Sequence, residues 1–231
     1  MRSIEFGASE DDAHSPRPTD GRFLRWSDRV YAHVLKRWFD LAVALMLVPV
    51  LLPVIAVLWV VVRADGGPGF FGHKRVGKDG RTFRCWKIRT MVPNAEEKLQ
   101  ALLASDEAAA AEWARDHKLT KDPRITLIGR FLRQTSLDEL PQIWNVVLGE
   151  MSFVGPRPIV DAELEKYGVH QAAYLSMKPG VTGLWQVSGR NDVTYDERVA
   201  MDIEYLRVMS CATDIKLMVK TFTAMCNRTG Y

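Results

Sequence analysis

Asp138 and Glu139 stand side by side between two arginines, in the run Arg133-Gln-Thr-Ser-Leu-Asp138-Glu139-Leu-Pro141-Gln-Ile-Trp-Asn145-Val-Val-Leu-Gly149-Glu-Met-Ser-Phe-Val-Gly155-Pro156-Arg157-Pro158. Paired carboxylates beside guanidinium groups can ligate a metal, supply a nucleophile or move a proton, with the arginines holding an anionic substrate. They can also do no more than start a helix. Ser136 and Glu139 have the spacing of a capping box over a helix from Gln142 to Leu148, stopped by Gly149. Pro141 weakens that version: as the fifth helical residue after a Ser136 cap, its missing N–H would delete the first-turn bond to Leu137. Asp138 or Glu139 is then the better cap, with Pro141 among the free N–H positions. A carboxylate at the positive end of a helix has its pKa lowered and stays ionised. An ionised Asp there could be a cap, a metal ligand or a nucleophile, and residue types alone do not choose.

The rest of the chain must position these groups. At 231 residues it is long enough for one domain with a core, or one domain and an appendage. A formal charge of +3 is too small to imply a nucleic-acid partner. Cys85, Cys211 and Cys226 are odd in number and scattered, without a Cys-x-x-Cys, which argues against a disulfide framework and a zinc site and for a reducing, cytoplasmic setting. Residues 1–29 are polar and of mixed charge and read as a flexible tail, not a signal peptide.

Leu41 to Val62 carries no charge over 22 residues, the length that crosses a hydrocarbon core of about 30 Å. Pro49 and Pro53, one turn apart near its middle, favour a kink, so the run can be a bent hairpin entering and leaving one leaflet. Basic residues flank both sides: Arg29, Lys36 and Arg37 before, Arg63, Lys74, Arg75 and Lys78 after. That suits two cytoplasmic ends and gives a single spanning helix no orientation. Seven basic residues from Lys74 to Arg89 alternate with Phe83, Trp86 and Ile88 in an extended pattern, a surface for lipid headgroups or a diphosphate. Asn94 to Glu97 reads as a capping box for a helix from Ala95 to about His117, without chemistry. Val160 to about Met177 is helical in pattern. In the turn-rich Lys178 to Arg190, glycines permit close backbone approach to a ligand and Trp185 could stack on a base. Thr194 to Glu197 opens a helix carrying Asp202 and Tyr205. Asp214 to Cys226 is amphipathic and could lie on a membrane surface or cap the core.

The wording of several segments resembles the bacterial sugar transferases, the monotopic phosphoglycosyl transferases that act on polyprenyl phosphate. The resemblance runs from about Lys36 to the C-terminus, through Phe70-Phe-Gly-His-Lys-Arg-Val-Gly77, Trp86-Lys-Ile-Arg-Thr-Met91, the Asp138-Glu139 segment, Lys178-Pro-Gly-Val-Thr-Gly183 and Asp202-Ile-Glu-Tyr205. It implies transfer of a sugar phosphate from a UDP-sugar to undecaprenyl phosphate, with release of UMP. By resemblance Asp138 is the covalent nucleophile and a Mg2+ ligand, and Glu139 a general base or positioning group. Lys87 and Arg133 bind phosphate oxygens, Arg157 contacts the nucleotide, and Asp202 is a substrate-site residue of unassigned role. The Val48-Pro49 pair with an added Pro53 departs from the family's usual Ser-Pro break. The ending Asn227 to Tyr231 is similar to exopolysaccharide-initiating members that use galactose or glucose.

The expected fold is α/β or α+β: a small irregular sheet with many helices, on an N-terminal re-entrant helical hairpin with amphipathic surface helices. The expected division is a polar tail over 1–29, a membrane anchor over 30–64 and a cytoplasmic catalytic domain over 65–231, at the inner face of the bacterial inner membrane. Partners are a UDP-sugar, polyprenyl phosphate and membrane lipid, with no nucleic acid and a homodimer left open. Two rival classes remain: a membrane-anchored scaffold of a polysaccharide assembly in which Asp138 and Glu139 only cap a helix, and a basic peripheral domain that binds anionic lipid or nucleic acid without catalysis.

Overall fold

The computed structural model describes residues 30–116, 119–188 and 193–226. The polar tail over 1–29, Arg190 and the ending Asn227 to Tyr231 lie outside the described residues. A π-helical turn, Tyr31–Leu35, leads into α1, Lys36–Val62. A bent hairpin is expected here, yet α1 is one uninterrupted helix that contains both Pro49 and Pro53. Each proline deletes one bond, to the carbonyls of Leu45 and Pro49. Those two carbonyls sit one turn apart on the same face, so the deficits share one side and the ladder elsewhere carries the helix through.

Most of the middle of α1 faces outward, with Leu45, Met46, Val50 and Val57 each more than half exposed. Its two ends, by contrast, are tied to the same body. At the N-terminal end Lys36 Nζ donates to Asp214 Oδ2 at 2.5 Å and to the Tyr205 hydroxyl at 3.0 Å, while Tyr31 Oη donates to the same Asp214 oxygen at 2.6 Å. Arg37 donates to the carbonyls of Val146 and Val147, and Asp40 Oδ1 accepts from Ser152 Oγ and the Phe153 amide. At the C-terminal end Arg89 donates to the Val62 carbonyl at 3.0 Å and pairs with Asp65, and Trp59 lies so close to Gly69 that a Cβ there would meet its ring at 2.3 Å.

The body is mostly helical, with two small sheets. Strands β1, Phe70–Val76, and β2, Thr82–Ile88, form an antiparallel hairpin from Phe70↔Ile88 to Val76↔Thr82. Its tight turn puts Asp79 and Gly80 in the left-handed region, at φ 57° and 74°. The helix expected over Ala95 to His117 is broken at the extended Asp106 into α2, Ala95–Ser105, and α3, Glu107–Asp116. The Asp106 side chain accepts the Ala109 amide, and Asn94 makes no cap bond, so the strong cap is the acid inside the run. Then follow α4, Leu127–Thr135, a 3-10 turn over Leu137–Glu139, and α5, Gln142–Leu148.

Strand β3, Ser152–Val154, pairs in parallel with β4, Gly180–Thr182. Between them the helical stretch after Val160 splits into α6, Asp161–Leu164, a 3-10 segment that Gly168 kinks at φ 49°, and α7, Gln171–Leu175. The glycines of the Lys178 segment are used internally: a Cβ on Gly180 would meet the Gly155 nitrogen at 2.1 Å, and one on Gly183 the Gly155 carbonyl at 2.3 Å. Backbone approaches backbone there, where a ligand was expected. α8, Leu184–Ser188, precedes α9, Tyr195–Val208, whose Thr194 cap accepts the Glu197 amide as the sequence predicts. Last comes α10, Cys211–Cys226, with Ile215, Val219 and Phe222 exposed along one face.

Lys36 is 8% exposed and Asp214 fully buried, so removing the cation strands a carboxylate in a dry site. Lys36→Met is expected to cost about 3–5 kcal/mol, read as a lowered thermal midpoint of the detergent-solubilised protein. An unchanged midpoint would show that the pair does not hold α1 to the body.

Candidate active site

The Asp138-Glu139 turn is framed by a chain reversal. α4 ends at Ser136, which adopts the left-handed conformation (φ 57°) and closes that helix through its amide to the Arg133 carbonyl at 3.2 Å. Pro141 occupies the position just before α5, where no side chain makes a cap bond. Ser136 is thus the C-cap of one helix, not the N-cap of the next, and neither acid caps anything. The reading of the pair as a helix cap loses its basis.

Lys87 reaches the acids from β2. It lies on the strand face shared by Phe83 and Cys85, which turns it inward. The free edge of β2 is held by Asn145, fully buried on α5, whose side chain accepts the Trp86 amide at 3.1 Å and donates to the Arg84 carbonyl at 2.7 Å. That clamp sets Lys87 Nζ 2.6 Å from Glu139 Oε1 and 3.9 Å from Asp138 Oδ2. Arg133 donates from Nε to Thr90 Oγ1 at 2.9 Å and acts on Asp138 through its charge.

Beside the turn is a cleft of about 280 Å3 whose polar lining includes Arg75, Lys87, Glu139, Gln142 and Arg157, and which Leu51 of α1 and Thr221 of α10 also line. Asp138 sits behind this lining, its side chain only 10% exposed, with Lys87 and Glu139 in front. Burial is the largest influence on it and pushes its pKa up to about 6; Lys87 opposes, Glu139 reinforces, and Arg133 opposes. A lowered value was expected from a helix end. Asp138 lies in the 3-10 turn between α4 and α5 and caps neither helix, and the desolvation of a buried carboxylate outweighs cations that Glu139 shares.

Two other expectations change. Trp185, which could stack on a base, lines the cleft but is 5% exposed, with the guanidinium groups of Arg157 and Arg198 over its ring at 5.8 and 4.7 Å. Asp202 does not line the cleft. It is 2% exposed in a separate small core and accepts from Tyr167 Oη at 2.8 Å; burial raises its pKa to about 7 against that bond. The sequence offers Arg75 only as one of seven basic residues suited to a diphosphate, and gives no such role to Gln142, Asn145 or Arg198. Arg75 was legible in principle: it pairs with Phe83 across the hairpin and so shares the face of Lys87.

Among the described residues no group of three or more His, Cys, Asp or Glu side chains gathers as a metal cage. Asp138 and Glu139 supply two carboxylates, which suffices for Mg2+ only where substrate phosphates complete the shell.

Between the ordinary carboxylate pKa and about 6, folded Asp138 holds a proton that the unfolded chain has released, so its contribution to stability falls as pH rises from about 4 to 6 and stays low above. Asp138→Asn removes that loss. The variant is expected to be more stable than the parent at pH 7.5 by up to about 3 kcal/mol, with the gap closing near pH 4. Thermal melts in chelator-containing buffer at the two pH values check this.

Comparison with known proteins places this geometry in context. A family model described as bacterial sugar transferase matches residues 31–228. The chain is 52% identical over 210 residues to the UDP-galactose-lipid carrier transferase of Erwinia amylovora, covering 90% of this chain and 44% of that protein. It is 52% identical over 196 residues to the undecaprenyl-phosphate galactose phosphotransferase of Salmonella typhimurium, covering 85% and 41%. The exopolysaccharide production protein ExoY of Sinorhizobium fredii is 46% identical over 198 residues, covering 85% of this chain and 88% of that one. The chain therefore spans less than half the length of the first two relatives and most of the third.

Proposed function

Since the chain belongs to the bacterial sugar transferase family, we propose that it transfers a hexose 1-phosphate from a UDP-sugar to undecaprenyl phosphate and releases UMP. The observation that carries this reading is Lys87 bridging Asp138 and Glu139 at the edge of a cleft lined by Arg75 and Arg157. A diphosphate fits such a site because its charge is matched on several sides. The names of the Erwinia and Salmonella relatives favour galactose as the sugar, and that of ExoY an exopolysaccharide pathway.

In the proposed first step an Asp138 oxygen attacks the sugar-bearing phosphorus. The bond from that phosphorus to the bridging oxygen breaks, and UMP leaves with the electron pair. In the second, an oxygen of undecaprenyl phosphate attacks the same phosphorus and the Asp138 carboxylate departs. Lys87, Arg75 and Arg157 hold phosphate oxygens, and a diphosphate drawing Lys87 forward would uncover Asp138. Arg133 counters charge behind the nucleophile. Glu139 orients Lys87 and takes the acceptor's proton. Mg2+, held by Asp138 with substrate phosphate oxygens, would lower the repulsion between carboxylate and diphosphate. Asp202 acts as a buried support away from the substrate.

Residues 30–64 serve in this reading as a re-entrant anchor and residues 65–231 as the catalytic domain on the cytoplasmic face of the inner membrane. The attachment of both ends of α1 to one body supports re-entry, because a spanning helix would part them by the bilayer. Exposed Leu127, Ile128 and Phe131 on α4, and Ile215, Val219 and Phe222 on α10, suit surface contact with lipid.

Two experiments test the proposal. With the native cysteines removed, Val34→Cys and Ala64→Cys should both resist an impermeant thiol reagent in intact cells; labelling of one alone would establish a spanning helix. UDP-galactose alone should release UMP in a burst, leaving labelled sugar phosphate on Asp138, and chelation of Mg2+ should abolish it. Asp138→Asn should give neither burst nor lipid-linked sugar while remaining folded, and Glu139→Gln should be severely slowed. A fully active Asp138→Asn would return the pair to a structural role.

A further inference from the structure

The cleft has two kinds of lining. One is the cations and Glu139. The other is apolar or hydroxyl groups that include Leu51 of the anchor helix, Thr221 of the C-terminal helix, Val181 and Phe153. Leu51 lies between Pro49 and Pro53, and its neighbours Val50 and Leu52 are 64% and 47% exposed. Thr221 stands between Lys220 and Phe222, the latter 70% exposed, and Val219 two residues earlier is 60% exposed. The cation-lined cleft thus reaches two helices that also carry exposed apolar side chains.

The polar groups at this mouth are already spent. Thr221 Oγ1 donates its hydrogen to the Leu217 carbonyl at 2.8 Å, so in the 2.7 Å contact between Thr221 and Thr182 the donor is Thr182. With both hydroxyl hydrogens committed, this pair offers little to a sugar or a nucleotide, and its methyl groups join Leu51 in an apolar mouth.

We propose that the isoprenoid chain of the acceptor leaves the cleft between Leu51 of α1 and Thr221 of α10, its phosphate lying inward among Lys87, Arg75 and Arg157. This rests on the transferase reading above and adds to it which wall the lipid crosses. One chain must have an anionic end among cations and a long apolar part that never enters water, and this mouth joins the two environments directly. The exposed face of α4, with Leu127 and Phe131, is the competing route, but no α4 residue lines the cleft.

Thr221→Trp would fill the mouth from the α10 side and Leu51→Trp from the α1 side. In the full-length detergent-solubilised protein, each is expected to raise KM for undecaprenyl phosphate by about tenfold or more, with a much smaller change for the two-isoprene geranyl phosphate and for UDP-galactose. Leu51→Ala in the Thr221→Trp protein should recover part of the loss. A binding measurement that needs no turnover keeps the two claims apart: geranylgeranyl phosphate carrying a diazirine on its first isoprene unit should photolabel α1 and α10 peptides even in Asp138→Asn. Labelling of α4 instead, or an unchanged long-chain KM in both tryptophan variants, overturns the route. If α1 and α10 are labelled but UDP-galactose never yields UMP, the route stands and the transferase reading fails.

Discussion

The structure depends on the rooting of α1 at both ends. A helix apolar on every side is stable in lipid or inside a core, and only six of the 27 residues of α1 are buried. Its inner face packs on the body through Ala44, Leu47, Leu51, Ile55 and Leu58. Its two ends add polar ties. The buried Lys36 and Asp214 pair carries a desolvation cost, which is offset because Asp214 accepts from Lys36, Tyr31 and Tyr205 together. The same residues lock α10 and α9 to the root of the helix. As a result Leu51, far along α1, and Thr221, far along α10, both come to line one cleft.

Electrostatics at the acids follows a similar contest. Lys87 is much closer to Glu139 than to Asp138, so its charge is largely committed to the more exposed carboxylate. Asp138 keeps the poorer share of a cation and the greater burial, and its affinity for a proton rises accordingly. An anionic ligand that draws Lys87 away would also draw off the group that screens Asp138 from the cleft.

Much of this was legible in the chain. The wording around Asp138, Glu139, Arg157 and Lys87 singled out groups that the structure gathers at one cleft, and the alternation from Thr82 to Thr90 marked β2 as extended. What failed was local propensity where tertiary packing overrode it. Ser136 has the spacing of a cap, but the reversal between α4 and α5 forces it left-handed. Pro49 and Pro53 suggest two arms, but the helix stays continuous between two distant anchors. The alanine-rich run reads as one helix, yet an internal Asp106 caps a second. Glycines near Lys178 look like ligand contacts until Gly155, distant in sequence, is seen to need the space. No periodicity reports such long-range pairings, nor that Asn145 would hold β2 in place.

Asp202 shows why a residue can matter to a site without lining it. It accepts from Tyr167, whose ring lies 5.0 Å from that of Tyr174. Tyr174 Oη donates to the Val76 carbonyl at 2.9 Å and accepts the Ile159 amide at 3.2 Å, beside the bond from the Val76 amide to the Ile159 carbonyl. Val76 follows Arg75 and Ile159 lies two residues after Arg157. The second core therefore joins the strand that presents one guanidinium to the proline-braced turn that presents the other. The pyrrolidine rings of Pro156 and Pro158 restrict the chain on either side of Arg157, so a small shift at Ile159 cannot be absorbed locally. Asp202 lies away from the cleft, yet the bonds it supports link the two segments that carry Arg75 and Arg157.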